Sequence, residues 1–337
     1  MEKLGNDIMI YLSRFIMRNG LKIIIQCTKD LRNRFIQLCF NKINFNIGKI
    51  KIKDMSEFIN FLKKNKLQIN IINLTGMTKL NFLCGHNFQI LKELSFDDDY
   101  FSDLEHKFPH GIQKITFGNK FDREILPDIL PTSLTELKFG EEFNKCLELN
   151  VLPFGLKKLI FGKDFNKPIG LDILPSTIIK LEFGDSFDQP IEEKVLPIQL
   201  QSLKLGNYNY NFLPNNLPNN LTELFLGNLY NHPLEVGLFP PNLTRLTFGY
   251  WFNQELTLGV LPIRLIHLTF GNEFNQVIHP KVLPSTIESL KLGYEFKQLL
   301  STYNLPISLS ALFLPYRHKG RNTVKGFKTI YYNDVDD

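Results

Sequence analysis

The chain repeats a pattern of 22 residues about ten times, and this period constrains its fold more than any other feature. Each copy opens with a proline, and in the first nine copies a glycine follows nine residues later. The prolines are Pro109, Pro131, Pro153, Pro175, Pro197, Pro218, Pro240, Pro262, Pro284 and Pro306, and a single step among them is 21 residues long. A fixed period of this length is typical of a solenoid, in which a unit too small to bury its own apolar side stacks on copies of itself.

The pattern within one copy predicts a short strand. The copy that begins at residue 130 has the order LPxxLxxLxFGxxFN, with Leu137 and Phe139 on either side of a polar residue. This spacing places both apolar side chains on one face of a strand. Leu134 and Phe143 are expected to turn inward from the bends that flank it. We therefore predict a leucine-rich-repeat-like solenoid of stacked short parallel strands, with extended returns and little helix.

The polar and small residues of the repeat predict its turns. Gly140 directly follows the strand, where we expect a backbone with positive φ, which glycine adopts at low cost. Asn144 and its equivalents suit a tight turn, and stacked copies would form a ladder that satisfies backbone amides. The proline has no N–H to donate, so it belongs at a corner before the strand.

One coil departs from the repeat. Between Gly206 and Gly227 a residue is missing, and the sequence predicts that this coil loses its turn aromatic near Asn209. Two explanations remain open, which are repeat decay tolerated in a loop and a bend used for binding.

The repeated unit resembles a known family. The motif LPxxLxxLxFGxxFNxxI, with a second proline kept at Pro168 and Pro190, is similar to the FNIP repeat of amoebal and giant-virus proteins, a relative of leucine-rich repeats. The resemblance covers 108–315 and implies a solenoid of about ten coils there.

Residues 1–40 predict a small α-helical module. Ile8, Leu12, Phe15 and Ile16 have the spacing of one apolar helix face, and Asp7 is available as an N-cap. The segment also resembles the start of an F-box, the module that docks the Skp-type adaptor of cullin-RING ubiquitin ligases.

The resemblance maps docking roles onto six residues. They are Leu4, Asp7, Ile8, Leu12, Phe15 and Leu21. The segment departs from the family at two positions. Gly5 stands where the family has proline, and no tryptophan follows Cys27. A plain helical cap for the solenoid is the alternative.

The remaining segments flank the array. Residues 41–107 are interpreted as a linker with a helix at 55–66 and with degenerate capping repeats, including the worn copy at 91–96. Residues 316–337 are interpreted as a C-terminal cap or tail, with an anion contact by its basic residues as the alternative.

Composition excludes several classes of function. The four cysteines lie far apart without CxxC spacing, which indicates a reducing compartment. Charged residues interrupt the N-terminal apolar segment, so neither a signal peptide nor a membrane span is expected. We expect a cytoplasmic location, in the host cytoplasm if the protein is viral, with the nucleus also possible.

No set of catalytic residues breaks the repeat. His106 and His110 have the spacing of a metal pair, but Pro109 lies between them and no HExxH motif is present. The sequence predicts no enzymatic activity, no cofactor and no metal.

The candidate binding surface lies on the outward side of the strands. Side chains that flank the second strand leucine vary from copy to copy, whereas the core positions do not. The residues predicted to contact a target are Glu136, Lys138, Lys158, Lys180, Glu182, Lys204, Glu223, Phe225, Arg245, His267, Lys291 and Phe313. Their mixed charges favour a protein partner over nucleic acid, which selects a continuous basic stripe. A merely solvated face is the alternative.

These features together predict a non-enzymatic adaptor. The N-terminal module would dock a Skp-type adaptor, and the solenoid would capture an unknown target protein for ubiquitin transfer. The alternative is a stand-alone repeat scaffold or decoy in which the N-terminal helices only cap the core.

Overall fold

One parallel sheet organises the molecule. The computed structural model describes residues 45–46, 71–74, 92–96, 98, 104, 107–108, 110–318 and 328–332. Within these ranges, 14 strands follow one another in chain order. They are β1 (Phe45–Asn46), β2 (Ile71–Leu74), β3 (Glu93–Phe96), β4 (Lys114–Thr116), β5 (Glu136–Lys138), β6 (Lys158–Ile160), β7 (Lys180–Glu182), β8 (Ser202–Lys204), β9 (Glu223–Phe225), β10 (Arg245–Thr247), β11 (His267–Thr269), β12 (Ser289–Lys291), β13 (Ala311–Pro315) and β14 (Lys328–Tyr332).

The predicted solenoid of stacked short parallel strands is confirmed. The helical content of the described residues is one 3₁₀ turn, Tyr316–His318. The N-terminal helical module at 1–40 and the helix predicted at 55–66 lie outside the described residues.

The strands pair in a constant register. In β5 and β6, Leu137 lies opposite Leu159, and the residues on each side pair with their own repeat equivalents. Leu137 is fully buried, whereas its two neighbours in the strand are not. Because the register never shifts between β4 and β13, equivalent residues stand in straight rows along the solenoid.

Two columns of side chains, most of them stacked aromatic rings, run through the core, with Leu205, Leu226 and Leu292 in place of a ring in three of the coils. The ring centroids of Phe139 and Phe143 lie 3.9 Å apart within one coil. Phe139 lies 5.5 Å from Phe161 on the next coil, and Phe143 lies 6.1 Å from Phe165. Leu134 is also fully buried, so the predicted inward orientation of the flanking residues is confirmed. Each coil thus buries rings that it could not cover alone.

The expectation of positive φ at the repeat glycine is wrong. Positive φ among glycines occurs at Gly111, Gly237 and Gly259, none of which is the glycine after a strand. The repeat glycine is required by close approach instead, since a Cβ at Gly140 would lie 1.8 Å from the carbonyl oxygen of Gly118. Successive coils touch backbone to backbone at this point, and no side chain fits between them.

The left-handed backbone lies elsewhere in the coil, three residues before the proline. It is occupied by Asp128, Asn150, Asp172, Lys194, Asn215, Gly237, Gly259 and Lys281. Asp, Asn and Gly tolerate this conformation best. Their recurrence three residues before the proline is the signal in the sequence for this left-handed position.

The predicted side-chain ladder is confirmed. The backbone N–H of Asn144 donates to Asp122 Oδ1 at 2.9 Å, and that of Asn166 donates to Asn144 Oδ1 at 3.0 Å. Asp188 continues the series with an N–H bond of 3.0 Å to Asn166 Oδ1. Each coil therefore supplies the acceptor for a backbone amide of the next, as buried amides require.

The short coil retains its turn aromatic, contrary to the prediction. Tyr208 is buried and stacks on Phe187 at a centroid distance of 6.3 Å. The next residue, Asn209, keeps the ladder by donating its N–H to Asp188 Oδ1 at 3.0 Å. The coil is therefore one residue shorter between its glycine, Gly206, and its turn aromatic, Tyr208. Burial raises the pKa of the Tyr208 hydroxyl, so the ring is neutral in the core.

Both ends of the array add strands beyond the clear repeats. The worn copy at 91–96 forms β3, in which Glu93 pairs with Lys114 of β4. At the other end β14 pairs with β13, and the Tyr332 hydroxyl donates to the carbonyl oxygen of Leu292. No helix in the described ranges has the length and apolarity that a membrane span requires.

Candidate partner-binding face of the solenoid

The outward side chains of the strands form two parallel rows, which we call the strand face. The first row is Glu136, Lys158, Lys180, Ser202, Glu223, Arg245, His267, Ser289 and Ala311. The second row is Lys138, Ile160, Glu182, Lys204, Phe225, Thr247, Thr269, Lys291 and Phe313. All twelve residues predicted on this surface are in these rows, at half-buried or exposed positions. Their role in binding stays a prediction.

Ion pairs fix the carboxylates of the strand face. Lys158 Nζ lies 2.7 Å from Glu136 Oε1 on the preceding strand. Lys180 Nζ lies 2.8 Å from Glu182 Oε1 within one strand, and this hydrogen bond raises the pKa of Lys180. These pairs order the long side chains, although at exposed positions each contributes little to stability.

The strand face carries an excess of positive charge. From β5 to β13 the two rows contain six Lys or Arg residues and three Glu residues. The third carboxylate, Glu223, lies 3.6 Å from Arg245 Nε. Lys158 and Lys180 are neighbours in the first row, but neutral and acidic residues separate the other cations. The face therefore has no continuous basic stripe of the kind that phosphates select.

A weakly charged window lies in the second half of the strand face. Phe225, Thr247 and Thr269 stand side by side in the second row. His267 belongs to the first row beside them, and burial together with the charge of Arg245 lowers its pKa, so the imidazole is neutral near pH 7. Lys204 borders the window, with its Nζ 5.6 Å from the centre of the Phe225 ring. The window thus combines an aromatic ring, two hydroxyls and a neutral imidazole beside the Glu223–Arg245 ion pair, a mixture suited to a protein surface.

The six residues that the F-box resemblance assigned to adaptor docking lie outside the described residues. Among those described, no cluster of three or more His, Cys, Asp or Glu side chains is arranged to hold a metal ion.

Sequence reasoning missed an exposed aromatic pair. Tyr250 and Trp251 follow Gly249, at turn positions that are mostly polar in the other coils. The available signal was this break in the polar pattern, together with the presence of a single tryptophan in the chain.

Comparison with family models identifies the repeat. The model described as FNIP Repeat matches residues 121–164, 165–208, 187–229, 230–273 and 274–317. The chain belongs to the FNIP-repeat family. Its FNIP repeats form the coils whose strands present the strand face.

One solved structure supports the same architecture. The chain is similar to CroV588, described as a novel circular LRR protein, with 34% sequence identity and a TM-score of 0.66. The match covers 72% of this chain and 39% of CroV588, so this chain spans well under half of that protein. An internalin (inlF) from Listeria monocytogenes str. 4b F2365 matches with 16% identity and a TM-score of 0.47, over 80% of this chain and 81% of the internalin. No curated protein sequence matches the chain.

The FNIP solenoid is an interaction scaffold by architecture. A constant apolar spine holds the coils, while the outward rows vary from one coil to the next. Solenoids of this kind are typically non-enzymatic and bind extended partners along the exposed strands.

Proposed function

We propose that the protein is a non-enzymatic adaptor in which the strand face binds a target protein. The observation that carries this proposal is the contrast between the buried leucine at the second position of every strand from β5 to β13 and the changing residues on either side of it. A stable core needs only the buried positions. Variation confined to a rigid exposed face provides the specificity of a binding surface.

We further propose that the N-terminal segment connects this scaffold to a Skp-type adaptor and thereby to a cullin-RING ubiquitin ligase. The support is the F-box resemblance of residues 4–27 and their position on the N-terminal side of a repeat array. The rigid solenoid would then hold the target at a fixed distance while other subunits transfer ubiquitin. Neither role requires a cofactor.

A cytoplasmic location accords with this proposal. Cys146 is an exposed free thiol, which persists in a reducing compartment.

Target binding is tested by reversing charges on the strand face. Lys138→Glu together with Lys204→Glu should abolish capture of a specific protein from the native cell, identified by cross-linking and mass spectrometry. The matched control is Lys163→Glu together with Lys194→Glu, which makes the same charge change at exposed positions off the strand face. If every captured protein binds both double variants equally, the strand face is not the binding surface.

Adaptor docking needs a separate test with the purified Skp-type adaptor. Leu12→Asp together with Phe15→Asp should eliminate co-purification, while Ser13→Asp together with Arg14→Asp, on the polar side of the predicted helix, should retain it. Co-purification that survives the first pair contradicts the proposed docking surface.

Deletion of the first 35 residues distinguishes the proposed adaptor from the alternative, a stand-alone scaffold. If these residues only cap the core, their removal should unfold or aggregate the array, because a solenoid without a cap exposes its apolar spine. If they form an independent docking module, thermal melting of the array should change little.

A further inference from the structure

The aromatic pair Tyr250–Trp251 is a rigid exposed feature. It lies on the turn edge, which we define as the two residues after each repeat glycine. The two residues are 42% and 51% exposed, and their rings have centroids 5.0 Å apart and planes inclined at 62°. The N–H of Trp251 donates to the Asn228 carbonyl at 2.9 Å, and the N–H of Glu273 donates to the Tyr250 carbonyl at 2.9 Å. Hydrogen bonds to both neighbouring coils therefore hold the backbone of the pair in place.

The neighbours of the pair differ in character on its two sides. In the row of Trp251, the preceding coil contributes Leu229, which is 41% exposed, and the following coil contributes Glu273. Coils stack at about 5 Å, so an apolar side chain, an aromatic ring and a carboxylate follow one another over about 10 Å. Within the described residues, no cation lies over either ring and no side chain pairs with the Glu273 carboxylate.

The solenoid contains its own example of what such an edge binds. Two coils further on, Tyr294 and Glu295 occupy the positions of Tyr250 and Trp251. The guanidinium carbon of Arg317 lies 3.7 Å from the centre of the Tyr294 ring, and Arg317 Nη1 donates to Glu295 Oε1 at 3.2 Å. The turn edge thus holds a guanidinium between an aromatic face and a carboxylate, the two groups that arginine favours.

We propose that Tyr250, Trp251 and Glu273 form a docking site for an arginine side chain of a protein partner. The guanidinium stacks on the aromatic pair and pairs with Glu273, while the methylene groups cover Leu229. The carboxylate disfavours the phosphates of a nucleic acid by repulsion. The site lies on the turn edge and not on the strand face, so the inference does not depend on target binding by the strands.

Trp251 is the sole tryptophan of the chain, and its emission therefore reports on this site alone. The full chain is titrated with a hexa-arginine peptide and, as a control, with a hexa-citrulline peptide of similar shape and no charge. Hexa-arginine should produce a saturable change in emission, and hexa-citrulline should not. Equal responses to the two peptides, or no response to hexa-arginine, would overturn the proposal.

Variants locate the contact. Tyr250→Ala together with Glu273→Gln should weaken hexa-arginine binding about tenfold, as expected from the loss of one cation–π contact and one exposed ion pair. Glu142→Gln removes a carboxylate from the same row, five coils before Trp251, and should leave affinity unchanged. Unchanged affinity in the double variant refutes the site. If circular dichroism shows that the double variant is unfolded, Glu273→Gln alone, which preserves shape, decides the question.

Discussion

Replacing one repeat glycine by alanine should destabilise the solenoid severely. A Cβ at Gly162 would lie 1.8 Å from the Gly140 carbonyl oxygen, whereas ordinary contact begins at 3.4 Å. The obstructing atoms belong to the backbone and cannot rotate away. The two coils would have to separate locally by about 1.6 Å, the difference between these distances.

Separation of the two coils would cost hydrogen bonds as well as packing. It would break the hydrogen bonds that join these coils nearby, from Asp164 N–H to Glu141 O at 2.8 Å and from Phe139 N–H to Ile160 O at 2.9 Å. Overpacking costs about 1–3 kcal/mol, and each lost hydrogen bond costs about 0.5–1.5 kcal/mol. Gly162→Ala should therefore reduce the free energy of unfolding by about 2–6 kcal/mol.

Gly170 in the same coil provides a matched control with the opposite expectation. Its nearest neighbour for an added Cβ is Ile173 Cγ1 at 3.8 Å, an ordinary contact, and its φ is not positive. Gly170→Ala should stabilise by about 0.4–1 kcal/mol through the unfolded chain.

Urea unfolding of the full chain measures both changes. Circular dichroism and Trp251 emission are followed together, because repeat arrays can unfold in parts. A Gly162→Ala midpoint equal to or above that of the wild type would refute the close-approach explanation.

Two further predictions concern the side-chain ladder. Asn166→Ala leaves the Asp188 N–H without its acceptor and should lower the free energy of unfolding, measured in urea, by about 1–3 kcal/mol. Asn166→Asp keeps the acceptor and should lower it less. Equal losses in the two variants would contradict the ladder. Burial opposes ionisation of Asp122, but hydrogen bonds from Lys145 and from the Asn144 N–H outweigh it and hold the pKa below 3.8. The stabilisation by the Asp122 carboxylate is present above pH 3.8 and is lost as pH falls through the lowered pKa. Asp122→Asn removes this loss, so the melting temperature of the variant should decline less between about pH 5 and about pH 2 than that of the wild type. Superimposable acid profiles of the two proteins would show that the Asp122 charge has no such role.

The period of the sequence was sufficient to predict the sheet and its faces. Leu137 was assigned inward and its neighbours Glu136 and Lys138 outward, as the structure places them. The ladder through Asn144 was predicted as well. In a solenoid, the neighbours of each residue are mostly its own repeat equivalents, so a local pattern also specifies the contacts between coils.

Features that depend on distances between coils were not available from the pattern. Gly140 was recognised as a required glycine, but the reason is a backbone contact with Gly118 rather than its own φ. Tyr208 replaces the missing turn aromatic from a position one residue earlier, which only the folded coil reveals.

The amino-acid sequence by itself determined the architecture, because a repeated strand with one apolar face has a single way to bury that face, which is to stack on its copies. The tertiary structure alone decided which exposed groups meet. The pairing of Lys158 with Glu136, and the exposure of Trp251 beside Glu273, depend on side-chain orientations and on coil spacing in three dimensions. No period in the sequence encodes these quantities.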